Sequence, residues 1–116
     1  MQGGNEITLE TKGTVTVFDI RGDVTATSED SFRMAYADAE GNNSRTLVFM
    51  FEEGAYINSG GIAILIQMLA KSKKNEQKIG ITGLSDHFKK IFHMVGITKF
   101  ATIYNTLEEA LASASG

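Results

Sequence analysis

The chain has 116 residues, a formal net charge of -3 and no cysteine, with 42% hydrophobic and 22% charged residues. These values exclude disulfides and thiolate metal sites, and they argue against a general nucleic-acid binder, which normally presents a basic surface. No apolar run approaches the ~18 residues that a membrane-spanning helix needs. We therefore expect one domain over residues 6–113 that is not inserted in a membrane, preceded by a flexible tail, residues 1–5.

The first predicted elements are two strands that form a hairpin, followed by a helix. Residues 6–11 alternate apolar and polar side chains, and residues 14–21 are rich in β-branched side chains. The helix covers residues 28–40, with Thr27 or Ser28 as its cap. Its apolar residues recur at the spacing of one buried face: Phe32, Ala35, Tyr36 and Ala39.

The rest of the chain alternates between strands and helices. Residues 46–51 are nearly all apolar, which is typical of a central strand in a parallel sheet. The later predicted elements are helices over 59–74 and 85–95, strands over 78–83 and 100–104, and a last helix from a capping box of Thr106 and Glu109. This order predicts an α/β domain: a mostly parallel sheet of four to five strands, with an N-terminal hairpin and about four flanking helices.

The helical wheel of residues 59–74 predicts a core stripe and an exposed patch. We expect the buried stripe to comprise Ile62, Leu65, Ile66 and Leu69. Ile64 and Met68 lie off this stripe, so we expect them to form an exposed apolar patch of the kind found at protein interfaces, unless the final helix or a homodimer contact covers them. The helix over 85–95 is predicted to bury Phe88, Ile91, Phe92 and Val95.

Enzymatic constellations are poor in this sequence. His87 and His93 are six residues apart on one predicted helix, which places them on different faces and disfavours a metal site. Glu52 and Glu53 are interpreted as a solvated loop pair and not as an acid/base dyad. We therefore expect no catalytic residue, no metal and no cofactor.

Ser59 is the most informative residue, because it stands where a buried strand gives way to an apolar helix. Gly60 and Gly61 follow it, which predicts sterically open surroundings. Asn58 or Ser59 must cap the helix, since the first N–H groups need an acceptor. A helix N-terminus also favours negative charge, so Ser59 is either a cap or a phosphorylation switch. Asp23 is either a turn residue or a polar neighbour of this loop.

Three segments of the chain resemble the STAS domain family, which is named after sulfate transporters and anti-sigma-factor antagonists. Residues 57–62, Ile-Asn-Ser-Gly-Gly-Ile, are similar to the family's Asp-Ser-Ser-Gly-Leu type loop. Residues 96–100, followed by Ile103 and Tyr104, resemble its late strand, and residues 106–111 resemble its last helix. The resemblance extends from residue 7 to residue 112.

The resemblance implies a bacterial, cytoplasmic regulatory module without catalysis. In the antagonist branch, a partner that is both anti-sigma factor and serine kinase, with an ATPase-type domain, phosphorylates the loop serine. The unphosphorylated form binds that partner and releases the sigma factor. Ser59 aligns with the phosphorylated position, and we expect a monomer or weak homodimer without direct nucleic-acid contact. The residues predicted to bind the partner are Asp23, Asn58, Ser59, Gly60, Gly61, Ile64 and Met68.

The sequence departs from the family pattern at two positions of the loop. Asn58 stands where an aspartate is common, and Gly60 where a second serine or threonine is common. Both departures favour an alternative function, a STAS accessory subunit of a membrane transport complex that is not phosphorylated. A third hypothesis is a stress-sensing scaffold component that assembles with copies or relatives of itself.

Overall fold

The computed structural model describes residues 5–115 and arranges them as a five-stranded sheet with helices on both faces. The strands are β1 Glu6–Lys12, β2 Val15–Arg21, β3 Thr46–Phe51, β4 Lys78–Thr82 and β5 Thr102–Ile103. The helices are α1 Glu29–Glu40, α2 Ser59–Lys74, α3 Asp86–Met94 and α4 Leu107–Ser115. Two short 3-10 turns, Ala26–Ser28 and Ile97–Lys99, precede α1 and β5. The predicted order of elements is confirmed.

The strands lie in the order β1-β2-β3-β4-β5, with β1 antiparallel to β2 and all other neighbours parallel. The predicted hairpin and mostly parallel sheet are therefore confirmed. Parallel pairing brings the carboxyl ends of β2, β3 and β4 to the same edge of the sheet. The loops that leave these strands are consequently neighbours in space.

Alternating side chains of the strands divide the core into two layers. On one face, Phe18, Phe49 and Phe32 pack edge to face beneath α1–α3, with ring centroids 5.0 and 6.2 Å apart for the pairs that share Phe49. On the other face, Val17 and Val48 pack against α4 through Ala110. Burying each such large side chain stabilises the fold by roughly 1.5–3 kcal/mol.

Hydrogen bonds at the helix starts follow the predicted chemistry in two of three cases. Ser85 caps α3 by accepting from the N–H of Phe88 at 3.3 Å. Thr106 Oγ1 accepts from the N–H of Glu109, whose carboxylate accepts in return from the N–H of Thr106, which completes the capping box of α4. The predicted cap of α1 is wrong, because the capping box of Thr25 stabilises the preceding 3-10 turn and Ser28 makes no side-chain cap at α1.

The predicted phase of α2 is wrong in part, since Leu65 and Leu69 are buried as predicted but the rest of the stripe differs. Ile64 and Met68 are buried, with 3% and 7% of their surface exposed, whereas Ile66 is 45% exposed. The buried stripe instead comprises Gly61, Ile64, Leu65, Met68, Leu69 and Ser72. The polar residue on this face is satisfied within the helix, since Ser72 Oγ donates to the carbonyl oxygen of Met68 at 2.8 Å.

The segment after α3 also differs from the prediction. Val95 is 48% exposed, because Gly96 in a left-handed conformation (φ 87°) ends α3 and Ile97 takes the buried position. The 3-10 turn then leaves Phe100 53% exposed and shortens the predicted strand to Thr102–Ile103.

Residues 1–4 of the predicted tail lie outside the described residues. Asn5 donates from its backbone N–H to Ser31 Oγ and from its side chain to the carbonyl oxygens of Arg21 and Asp23.

Candidate functional site

Two loops at the carboxyl edge of the sheet are joined to each other by backbone hydrogen bonds. They are residues 22–25, after β2, and residues 52–58, after β3. Val24 pairs with Ile57 as an isolated parallel bridge. The N–H of Val24 donates to the carbonyl oxygen of Tyr56 at 2.8 Å. The N–H of Asn58 donates to the carbonyl oxygen of Val24 at 3.1 Å. The two loops therefore continue the pairing of β2 with β3 beyond the ends of the strands.

Two acidic side chains reinforce this connection. Asp23 Oδ1 accepts from the backbone N–H of Tyr56 at 2.9 Å. Glu52 Oε1 accepts from the backbone N–H of Gly22 at 2.8 Å. Asp23 is thus a polar neighbour of the loop that carries Ser59. The sequence interpretation missed the role of Glu52, which was grouped with the exposed Glu53 as a solvated pair.

Asn58, and not Ser59, is the cap of α2. Asn58 has an extended backbone (φ -93°, ψ -177°), and its Oδ1 accepts from the N–H of Gly61 at 2.9 Å. Ser59 is the first residue of α2 and is exposed, and its hydroxyl has no hydrogen-bond partner among the described residues. Of the two cap candidates that the sequence left open, the structure selects Asn58. The Ser59 hydroxyl makes no hydrogen bond that stabilises the described part of the chain.

The glycines after Ser59 do not create open space. A Cβ at Gly61 would lie 2.2 Å from the carbonyl oxygen of Val24, and one at Gly60 would lie 2.9 Å from Ala26 Cβ. The expectation of sterically open surroundings is therefore wrong for both positions. The glycines allow the start of α2 to press against the β2–α1 loop, which fixes where Ser59 is presented.

The surroundings of Ser59 combine free backbone donors with acidic side chains. The N–H groups of Ser59 and Gly60 have no acceptor within residues 5–115. Asp23, Glu52 and Glu53 are exposed on the two joined loops. The first turn of α2 thus offers local donors to an anion, while the wider surface carries negative charge.

An exposed aromatic residue, Tyr56, belongs to the same loop and escaped the sequence interpretation. Tyr56 is 57% exposed, and its ring packs edge to face on Phe88 of α3 at 5.8 Å between centroids. An aromatic side chain in a short polar loop was the available signal. The contact links the Ser59 loop to the start of α3.

Neither histidine belongs to a metal cluster, since residues 5–115 contain no group of three His, Cys, Asp or Glu side chains that could hold a metal ion. His87 packs against the ring of Phe88, and His93 Nδ1 lies 3.3 Å from Thr98 Oγ1. Within the same described range, no helix is long and apolar enough to cross a membrane.

The family model of the STAS domain matches residues 6–110. This chain belongs to the STAS domain family. The resemblance proposed from the Ser59 loop, the late strand and the last helix is therefore confirmed. A search of curated protein sequences finds no match to this STAS domain.

Solved structures share the fold of this STAS domain at low sequence identity. An anti-sigma factor antagonist from Mycobacterium paratuberculosis superposes with a TM-score of 0.76 and 19% identity, covering 97% of this chain and 95% of that chain. The anti-sigma factor antagonist SpoIIAA in its unphosphorylated form gives 0.73 and 14%, covering 96% and 99%. The Bacillus cell fate determinant SpoIIAA in the phosphorylated form gives 0.68 and 15%, covering 94% and 99%.

Proposed function

We propose that this STAS domain is an anti-sigma-factor antagonist, a non-enzymatic cytoplasmic regulator that binds an anti-sigma factor and is switched off by phosphorylation of Ser59. The partner is an anti-sigma factor that is also a serine kinase with an ATPase-type domain. Similarity of fold to anti-sigma factor antagonists supports the general function. That SpoIIAA has been described in both unphosphorylated and phosphorylated forms supports a phosphorylation switch on this fold.

The observation that carries the proposal is that Asn58 caps α2 and leaves Ser59 free for modification. Asn58 caps α2, while the Ser59 hydroxyl is exposed and unpaired within the described residues. A kinase therefore has access to the hydroxyl, and its modification removes no hydrogen bond that the described fold uses. If Ser59 were the cap, its modification would lower the free energy of unfolding by about 1 kcal/mol.

A phosphate on Ser59 would affect folding and binding differently. It adds roughly -1.5 to -2 charges. The free N–H groups of Ser59 and Gly60 favour an anion at this helix start, so the fold tolerates the modification. A partner that covers the loop would have to desolvate the phosphate beside Asp23 and Glu52. A loss of ~3 kcal/mol in binding free energy corresponds to more than a hundredfold in affinity.

The two departures from the family pattern have structural explanations that do not require a transport function. Asn58 caps the helix through its amide oxygen and adds no charge next to Ser59. Gly60 leaves room for Ala26, whose Cβ would lie 2.9 Å from a Cβ at position 60. Both departures are therefore compatible with a phosphorylated Ser59, and the unphosphorylated accessory-subunit alternative loses its main support.

The partner surface that we propose differs from the prediction in its apolar part. Asp23 and residues 58–60 remain at its centre, whereas the predicted partner residue Gly61 is buried against Val24 and leaves the surface. Ile64 and Met68 are buried and make no direct contact with a partner. The exposed apolar side chain on the Ser59 face of α2 is Ile66, seven residues further along, which lies within 20° of Ser59 around the helix.

The proposal is tested with wild type, Ser59→Asp and Gln67→Glu as tagged baits in lysate of the source cell. Gln67→Glu is a matched control, because it adds one negative charge on an exposed position of α2, about 12 Å along the helix axis from Ser59. We expect wild type and Gln67→Glu to retain an ATPase-domain serine kinase and Ser59→Asp to lose it. The purified kinase with ATP should then phosphorylate wild type at Ser59, as read by mass spectrometry, and leave Ser59→Ala unmodified.

Other outcomes would contradict the switch. Equal kinase affinity for wild type and Ser59→Asp would show that charge at this position does not control binding. Retention of the same transporter subunits by all three baits would assign the chain to a transport complex. A large defined oligomer in light scattering, with no kinase retained, would instead support the scaffold hypothesis.

A further inference from the structure

An apolar groove lies beside the C-terminal half of α2, away from the Ser59 loop. Its volume is about 390 Å3, and its walls include Ile66, Leu69, Val95, Ile97, Phe100 and Lys73. Three of these apolar side chains are about half exposed: Ile66 at 45%, Val95 at 48% and Phe100 at 53%. Grooves of this size with mostly apolar walls and few polar groups are typical of small-molecule sites.

The groove shares part of its wall with a neighbouring cleft that contains a second cation. The cleft, of about 330 Å3, shares Leu69, Lys73 and Phe100 with the groove and adds Lys99. Neither Lys73 nor Lys99 forms an ion pair with a described residue. Lys73 Nζ lies 5.1 Å from the centroid of the Phe100 ring, so its ammonium is held at the junction of the two spaces. Glu76 is the acidic residue of the cleft.

We infer that this groove binds a free fatty carboxylate, with its hydrocarbon chain along the apolar walls and its carboxylate beside Lys73 and Lys99. The argument is charge complementarity combined with the direction of the polarity. The apolar walls belong to the groove, Lys73 lines both spaces and Lys99 lines the cleft, which matches a molecule with an apolar tail and a terminal anionic head. An amphipathic helix presents its apolar and polar groups on opposite sides along its whole length, which is a poorer match.

Lys73 and Lys99 both lie among apolar side chains of the groove and the cleft. The alkyl chain of a lysine covers apolar surface while its ammonium stays in water. Lys73 can therefore contact the carboxylate of the ligand and leave the groove open. The inference does not depend on the proposed switch, since the groove does not include Ser59 and shares only Ile66 with the proposed partner surface.

The experiment titrates the full chain with dodecanoate by calorimetry, below the concentration at which dodecanoate forms micelles, and compares dodecan-1-ol. We expect one saturable dodecanoate site per chain, weaker binding of the alcohol, and weakening by added salt for the carboxylate alone. Lys73→Gln should weaken dodecanoate about fivefold, equivalent to ~1 kcal/mol, and leave dodecan-1-ol unchanged. Lys74→Gln is the matched control, since Lys74 lies on the same turn but outside the groove walls.

A second pair of variants tests the location of the tail. Ala70→Phe fills the groove from an exposed position of α2 and should abolish binding of both ligands, whereas Ala37→Phe, on the exposed face of α1, should not. Because Lys73 makes no ion pair with a described residue, Lys73→Gln should fold, and it keeps the test valid if Ala70→Phe fails to fold. Absence of saturable binding, equal affinity for Lys73→Gln and wild type, or undiminished binding by folded Ala70→Phe would overturn the inference. Concentration-dependent dimerisation blocked by Ala70→Phe, without dodecanoate binding, would assign the groove to a second copy of the chain and also overturn it.

Discussion

Replacing Gly61 by alanine tests whether the two loops of the candidate site are locked together. The new Cβ would lie 2.2 Å from the carbonyl oxygen of Val24, and real Cβ contacts are essentially never shorter than 3.0 Å. The helix start and the loop must therefore separate by about 0.8 Å. The same displacement stretches the hydrogen bond from the N–H of Asn58 to Val24 from 3.1 Å to ~3.9 Å, beyond hydrogen-bonding range.

The cost follows from these contacts. Losing this backbone bond removes ~1 kcal/mol, and overpacking against the backbone of Val24 adds ~2 to 3 kcal/mol. Alanine recovers ~1 kcal/mol relative to glycine within a helix. We therefore expect Gly61→Ala to lower the free energy of unfolding by about 2 to 3 kcal/mol, in contrast to the usual stabilising effect of this exchange.

The assay is urea unfolding followed by far-ultraviolet circular dichroism, with Gly41→Ala as the control. For a slope near 1.5 kcal/mol/M, the midpoint of Gly61→Ala should fall by roughly 1 to 2 M. Gly41 has an ordinary helical φ of -66°, and a Cβ there would lie 3.4 Å from the carbonyl oxygen of Asp38, so Gly41→Ala should shift the midpoint little or upward. A midpoint for Gly61→Ala equal to or above that of wild type would refute the tight approach of α2 to Val24.

Three further predictions use the same unfolding measurement. Asn58→Ala should cost about 1 kcal/mol, while Ser59→Ala should stay within ~0.5 kcal/mol; the reverse order would make the hydroxyl the cap. Ile64→Ala should cost about 2–5 kcal/mol because it empties a buried site, whereas Ile66→Ala should cost less than ~1 kcal/mol. Equal losses of unfolding free energy at positions 64 and 66 would show that α2 does not bury the face seen in the structure. Thr106→Ala should cost about 1 kcal/mol through loss of the capping box of α4, and an unchanged midpoint would show that this bond does not stabilise the helix.

The sequence predicted the architecture well, because periodicity and turn residues agree along the chain. The bounds of β3 and α2 coincide with the structure, at residues 46–51 and 59–74. The face that α2 buries was not predictable from its period. Apolar side chains occur at 62, 64, 65, 66, 68 and 69, nearly all round the helix, so the pattern does not select one stripe. Contact between Gly61 and Val24, distant in sequence, sets the phase.

The candidate site was located by sequence but its internal geometry was not. Ser59 and Asp23 were singled out, and the structure places Asp23 on one of the two loops joined by the Val24–Ile57 bridge and Ser59 directly after the other, at the start of α2. Whether Asn58 or Ser59 caps α2 depends on backbone dihedrals that neither residue type dictates alone. The roles of Glu52 and Tyr56 depend on partners thirty or more residues away in the chain, so no local pattern identified them.

The bridge between Val24 and Ile57 has a consequence for the kinetics of recognition. Loops that must be ordered by a partner impose an entropic cost on association and slow it, whereas this pair is already held in one arrangement by its own backbone. The amide hydrogens of Val24 and Asn58 should accordingly exchange with solvent as slowly as those of a strand, although both residues lie in loops. These hydrogen bonds thus preorganise the surface formed by the two loops in one conformation. Under the proposed function, a phosphate on Ser59 would therefore block the partner sterically and electrostatically, without a change in the conformation of the two loops.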